Sequence, residues 1–150
     1  MLELMVSVAI IGLTVGIGSM EVLKNRPTHT LNKACWEIMS ELREARTSAV
    51  SENKDCIVAV DSAAKTLTLS MDRNEDGTMS AGESRVIDLS DIPGVYLGAA
   101  FGDATAAFTG RGSFRGDTMT TQILTVSVPG ASEVKYITIF PTGQVQMRNQ

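Results

Sequence analysis

Histidine is almost missing from this chain, His29 being the only one in 150 residues. That scarcity removes a histidine-dependent nucleophilic triad unless another base serves, and no acyl-transfer motif accompanies any serine. There is also no CxxC pair, no phosphate-binding loop and no glycine-rich dinucleotide fingerprint. These absences argue against an enzyme and leave His29 as an exposed linker residue. Cysteine is scarce too. Cys35 and Cys56 are the only two, a number that permits a disulfide in an exported protein but does not establish one. A net charge of −4 and a pI near 5.0 give no global attraction to nucleic acid or to an anionic membrane, though a local basic patch is compatible with them.

Positive charge is absent from the first 23 residues, MLELMVSVAIIGLTVGIGSMEVL, and the first cation is Lys24. From Leu4 to Met20 seventeen consecutive residues carry no charge, enough for a slightly short helix across a hydrocarbon core. Glu3 stands at its head. A carboxylate costs roughly 2.5–3.5 kcal/mol at the middle of a membrane helix and is usually partnered there, so Glu3 reads as a group awaiting a cation. A cleaved secretory signal is the alternative, but it needs a basic leader and a small-residue cleavage pattern that this segment lacks.

The run LELMVSVAIIG resembles the N-terminus of mature type IV pilins and type II secretion pseudopilins, whose signature is Phe-Thr-Leu-(Ile/Leu)-Glu-Leu-(Met/Leu)-Val before an apolar helix. The resemblance implies that Glu3 pairs with the N-terminal amine of a neighbouring subunit during assembly. Leu2, Leu4, Val6, Val8, Ile10 and Ile11 would then supply lateral packing. In that family the glutamate is the fifth mature residue. Glu3 is third, so the reading frame is expected to continue upstream through a basic leader of the kind that prepilin peptidase removes.

Gly12 and Gly16 form a small-xxx-small pair that lets helices approach closely, or are merely tolerated, as glycine is in membrane helices. Residues 1–23 are therefore read as a transmembrane or filament-core helix. At EVLKNRPTHT polarity rises and Pro27 disfavours an α conformation at Arg26, which makes 24–29 a kinked linker. A head domain over 30–150 follows, small enough for a single core. It opens with a helix over 30–52, capped by Thr30 and stopped at Asn53. Leu31, Cys35, Ile38, Leu42, Ala45 and Ala49 make one apolar stripe, with Lys33, Glu37, Glu41 and Glu44 away from it.

Beyond Asn53 seven runs read as strands: CIVAV, KTLTLSM, RVIDL, VYLGAAF, MTTQILTVSV, VKYITIF and QVQM. The fold class is α+β, with an antiparallel sandwich or pair of sheets over 53–150 packed on the second helix. ELREARTSAV, AAFTGRG and ITIFPTGQV resemble elements of the GspH/FimT-like branch. The resemblance implies a minor pilin or pseudopilin, held in the inner membrane with a periplasmic head until it enters a filament with other subunits.

DRNEDGTMSAGE places Asp72, Asn74, Asp76, Gly77 and Glu83 at positions 1, 3, 5, 6 and 12 of a calcium loop, with Thr78 and Ser80 at 7 and 9. Its flanks are strand-like, and acidic Asp/Asn/Gly turns without metal also join strands. A Ca²⁺ loop and a plain acidic hairpin turn both remain open. GRGSFRG sets Arg111 and Arg115 around Phe114, a basic and aromatic surface of the kind that grips phosphates and stacks bases. Some FimT-like minor pilins take up DNA through a C-terminal Gly-Arg-x-Arg motif. Gln144 and Gln146 stand where the arginines would be, leaving Arg148. Nucleic acid is thus the secondary reading and a structural subunit the primary one. Finally, Cys35 lies sixteen residues before the helix end near Ser51, a rise of roughly 24 Å. Five residues from Ser51 to Cys56 return at most about 17 Å, so no intrachain disulfide is expected.

Overall fold

The computed structural model describes residues 2–76, 79, 82–99, 106–116, 121–131 and 133–149; before residue 26, side chains are described at 3 and 5–12. One helix, α1 (Leu2–Glu52), runs through the whole N-terminal third, with Pro27 inside it. The linker expected at 24–29 is therefore helical. Proline deletes one N–H and costs about 3 kcal/mol in a helix interior, whereas ending the helix would expose several N–H and C=O groups at each new terminus. Thr30 is no cap. Its hydroxyl donates to the Arg26 carbonyl at 3.0 Å, one turn back in the same helix.

The C-terminal end of α1 is where the sequence places it. Asn53 takes φ 50°, its N–H donates to the Val50 carbonyl, and the Lys54 N–H donates to the Ala49 carbonyl at 3.0 Å. That pair of bonds is a Schellman stop with asparagine in the glycine position. Leu31, Cys35, Ile38, Leu42, Ala45 and Ala49 are all buried, as their spacing predicts. One residue departs from the pattern: Glu41 is turned inward, its side chain only 14% exposed.

All seven strand-like runs form strands. They are β1 (Cys56–Asp61), β2 (Thr66–Ser70), β3 (Ser84–Asp88), β4 (Tyr96–Ala99), β7 (Gln122–Ser127), β8 (Lys135–Ile139) and β9 (Val145–Asn149). Two further strands, β5 (Ala107–Phe108) and β6 (Phe114–Arg115), are too short to show a period. Every pairing is antiparallel, in a five-stranded sheet of order β3-β2-β1-β5-β6 and a four-stranded sheet of order β4-β7-β8-β9. Alternate side chains of both sheets and the stripe of α1 meet in one core, because strand side chains alternate faces and one face must be covered. Phe108 and Phe114 meet edge-on there, ring centroids 4.9 Å apart.

Both cysteines are buried and free. Burial pushes each thiol up from 9.0 to about 11. A group whose folded pKa is raised contributes stability that is intact below pH 9 and lost as pH climbs toward 11. The chain should accordingly lose more stability between about pH 8 and 10.5 than a Cys35→Ala, Cys56→Ala chain does, as read by thermal unfolding. Equal losses in the two chains would mean that the thiols are not sequestered.

Candidate functional site

The first three turns of α1 carry an unusual surface for a water-soluble helix. Met5, Val6, Val8, Ile10 and Ile11 are 76, 49, 61, 60 and 61% exposed, on every side of the helix. A helix apolar all round is one that belongs inside something larger. Glu3 is exposed at its head, and its carbonyl accepts from the Ser7 hydroxyl at 2.8 Å. Nothing lies within 4 Å of a Cβ built on Gly12, so no contact within this subunit calls for glycine there. The side chains of Leu2 and Leu4 and the surroundings of Gly16, itself within α1, lie outside what is described. Among the described residues no helix is long and apolar enough to cross a membrane.

Where α1 meets the head, Arg46 performs a structural task that its place in ELREARTSAV only hinted at. Its Nε donates to the Gly112 carbonyl at 2.9 Å and one terminal nitrogen to the Thr142 carbonyl at 3.0 Å. These carbonyls belong to the β5–β6 and β8–β9 turns, so one guanidinium ties the helix to both sheets. The Phe114 N–H donates to the Pro141 carbonyl across the same junction. Gly143, at φ 76°, sits where a Cβ would stand 2.0 Å from the Gly112 carbonyl oxygen. The glycine elements in AAFTGRG and ITIFPTGQV are thus two sides of a single contact.

A second feature was not legible from spacing. Arg85 on β3 reaches back to α1, donating to Glu41 at 2.8 Å and Glu44 at 2.9 Å. The other Glu41 oxygen is buried without a hydrogen-bond partner. A cleft of about 340 Å³ opens beside it, floored by Cys56, Leu69 and Met71.

The acidic loop is knitted to its own backbone and to the end of α1. Glu83 Oε1 accepts from the Arg73 and Asn74 N–H groups at 2.8 and 3.1 Å, and Asp72 Oδ1 from the Glu75 N–H at 2.7 Å. Asn74 accepts from the Asp76 N–H and donates to its carboxylate. Arg73 pairs with Glu52, and Lys54 with Glu75 at 3.0 Å. Among the described residues no group of three His, Cys, Asp or Glu is gathered to hold a metal. Gly77, Thr78 and Ser80 lie outside the described residues.

The basic residues are dispersed. Arg111 is exposed in the β5–β6 turn, Arg115 pairs with Asp55 at 2.9 Å, and Arg148 is exposed on β9 in the other sheet. Phe114, expected beside Arg111 and Arg115 as a stacking surface, points into the core against Phe108 instead. Its apolar ring is worth more buried than held at a turn.

No family model matches the chain, and no curated protein is significantly similar to it in sequence. Its fold, by contrast, has clear counterparts among solved structures. The minor pseudopilin EpsH from the type 2 secretion system of Vibrio cholerae superposes with a TM-score of 0.61 at 15% identity, over 78% of this chain and 94% of that one. The type IV minor pilin FimU of Pseudomonas aeruginosa gives 0.58 and 0.60 in two crystal forms, at 19% identity, over 78 and 83% of this chain and 91 and 89% of those. The fold is pilin-like.

Within this pilin-like head, the Arg85 contact yields a direct expectation. Arg85→Ala leaves the mostly buried Glu41 carboxylate with neither oxygen partnered, which should cost about 2–3 kcal/mol in chemical unfolding. Adding Glu41→Leu should recover most of that loss, because an apolar side chain needs no partner there. An Arg85→Ala head as stable as the parent would show the pair to be ornamental.

Proposed function

We propose that the chain is a structural subunit, a minor pilin or pseudopilin, of a type IV pilus-like or type II secretion filament, and acts by assembly and not by catalysis. The observation that carries this reading is the exposed apolar start of α1 joined, in one helix, to a pilin-like head. An exposed apolar helix of this kind rests in the inner membrane, with the head on the periplasmic side, until neighbouring helices cover it. Glu3, Val6, Val8, Ile10 and Ile11 then face other subunits, and prepilin peptidase is the enzyme that would release the N-terminus. An epitope-tagged chain should be recovered with sheared filaments, or with pseudopili in an overexpressing secretion strain. Its confinement to the membrane fraction under both conditions would sink the proposal.

A second, independent reading concerns the loop at Asp72, Asn74, Asp76 and Glu83. Calcium there is supported by the spacing and by oxygen donors suited to a hard cation. Occupancy would require Asp72 and Glu83 to turn from backbone N–H groups, and Asp76 from the Asn74 amide, toward the ion. A head beginning at Thr28 should then melt higher in millimolar calcium than in chelator, and Glu83→Gln should abolish the difference. Identical melting in both solutions would leave an acidic hairpin turn. DNA uptake through Arg111, Arg115 and Arg148 is the weaker alternative, since Arg115 is paired and Phe114 is buried.

A further inference from the structure

Each sheet of the head turns one face to the core and the other outward, and the outward faces differ in charge. Across β4, β7, β8 and β9 the register aligns Gly98, Thr125, Tyr136 and Arg148 in one row. Tyr96 folds along this face until its hydroxyl lies 2.8 Å from where a Cβ on Gly98 would stand, so the glycine leaves room for the ring. Tyr96 is 57% exposed and Ile123, on the same face, 40%. Among the described outward positions of these four strands Arg148 is the single charged residue.

The other sheet shows the converse. Its register aligns Asp61, Thr66 and Asp88 across β1, β2 and β3, which sets two carboxylates two strand spacings, roughly 10 Å, apart. Both are held in place, Asp61 Oδ1 accepting from the Ala63 and Ala64 N–H groups and Asp88 Oδ1 from that of Ser90. Val86, 56% exposed, stands in the adjacent row opposite Thr68. No cation occupies an outward position of these three strands. Of the cations nearest in sequence, Arg85 on β3 turns to the other face to reach α1, and Lys65 lies in the β1–β2 turn.

We propose that the outward face of the four-stranded sheet docks on the Asp61–Asp88 row of a second copy of this chain. This deepens the filament reading and rests on it. Arg148 meets the two carboxylates, while Tyr96 and Ile123 cover Val86. Aromatic residues and arginine are the side chains enriched at protein interfaces, where other charges are depleted. Because the two patches differ, the contact is heterologous. A head-to-tail contact of this kind closes into a ring or continues along a helical array according to the rotation between copies, and the filament reading requires the second.

The test is site-specific photo-cross-linking of the full chain in cells, with a benzophenone amino acid in place of Val86. The expected product has twice the chain mass, and trypsin should release the Val86 segment joined to residues 86–111, 116–135 or 136–148 of the second copy. Arg148→Glu should lower the adduct yield by about tenfold or more, since it opposes like charges, and Asp88→Arg added to it should restore the yield. Position 148 is exposed on an edge strand, so unchanged thermal melting will separate lost docking from misfolding. An adduct only with another protein, with DNA or with residues 2–25 of a second copy would overturn the proposal, as would no adduct. Recovery of the chain in filaments without the Val86 adduct would overturn the docking alone. Absence from filaments would instead count against the filament reading.

Discussion

Gly143→Ala should lower the melting temperature of the head by roughly 10–20 °C, which corresponds to about 3 kcal/mol for a domain of this size. Two costs combine. The backbone at Gly143 has φ 76°, a left-handed conformation that costs a residue with a Cβ about 1–2 kcal/mol. The added carbon would also stand 2.0 Å from the Gly112 carbonyl oxygen and 2.8 Å from Arg46 Nε. Neither neighbour can retreat cheaply, because the Gly112 carbonyl is itself the acceptor for Arg46 and lies in a turn closed by the Gly112 N–H to Thr109 carbonyl bond. The substitution therefore strains a point at which α1, the five-stranded sheet and the four-stranded sheet are tied together by hydrogen bonds. Gly82→Ala is the matched control. Nothing lies within 4 Å of its Cβ, and a change there should stay within about 0.5 kcal/mol. Equal melting of the two variants would mean that the junction is looser than its hydrogen bonds imply.

On the proposed filament role, the Glu3→Leu chain should retain a head of unaltered stability yet enter filaments at less than about a tenth of the parent level. The first half of that expectation is geometric. Glu3 lies 28 residues before Leu31, the first fully buried residue of the head, a distance of roughly 42 Å along the helix. No contact of the core can feel the change. The second half follows from dielectric: once apolar helices surround Glu3, its carboxylate needs a cation, and that cation equally needs the carboxylate. Truncating one partner of a desolvated charge pair typically costs about 2–5 kcal/mol, well over the 1.4 kcal/mol that makes a tenfold change. Leucine keeps the segment at least as apolar, so the variant removes the charge alone. Filament fractions probed for the tagged variant give the answer, and normal incorporation would remove Glu3 from the assembly mechanism.

Much of the local structure could be read directly. The stripe from Leu31 to Ala49 repeats at intervals of three and four, and seven runs of β-branched and aromatic residues sit between turn residues. Each of these signals comes from neighbours in the chain. They named α1 beyond residue 30, its stop at Asn53 and seven of the nine strands among the described residues. β5 and β6 escaped because two residues cannot display a period of two, and their pairing is enforced by β1 and by Pro141 from outside. The kinked linker expected at 24–29 lies within α1 for a related reason. A proline signals what it costs locally, and the sequence does not show that the alternative, two new helix ends, costs more.

What the sequence by itself determined is the nature of the parts: an apolar helix start with one carboxylate, an amphipathic continuation, a β-rich head and an acidic loop, all of which follow from composition and short-range periodicity. What only the tertiary structure decided is which distant parts meet. Arg46, Gly112 and Gly143 are far apart in the chain, and nothing in their local surroundings says that one guanidinium will need two turn carbonyls. Phe114 looked like a surface aromatic between two arginines until Phe108 was found beside it. Glu41 looked like one more solvated acid until Arg85 was found to draw it inward. The physical reason is common to all three, for a side chain's environment is set by the elements packed against it, and packing is a property of the whole chain that no short window contains.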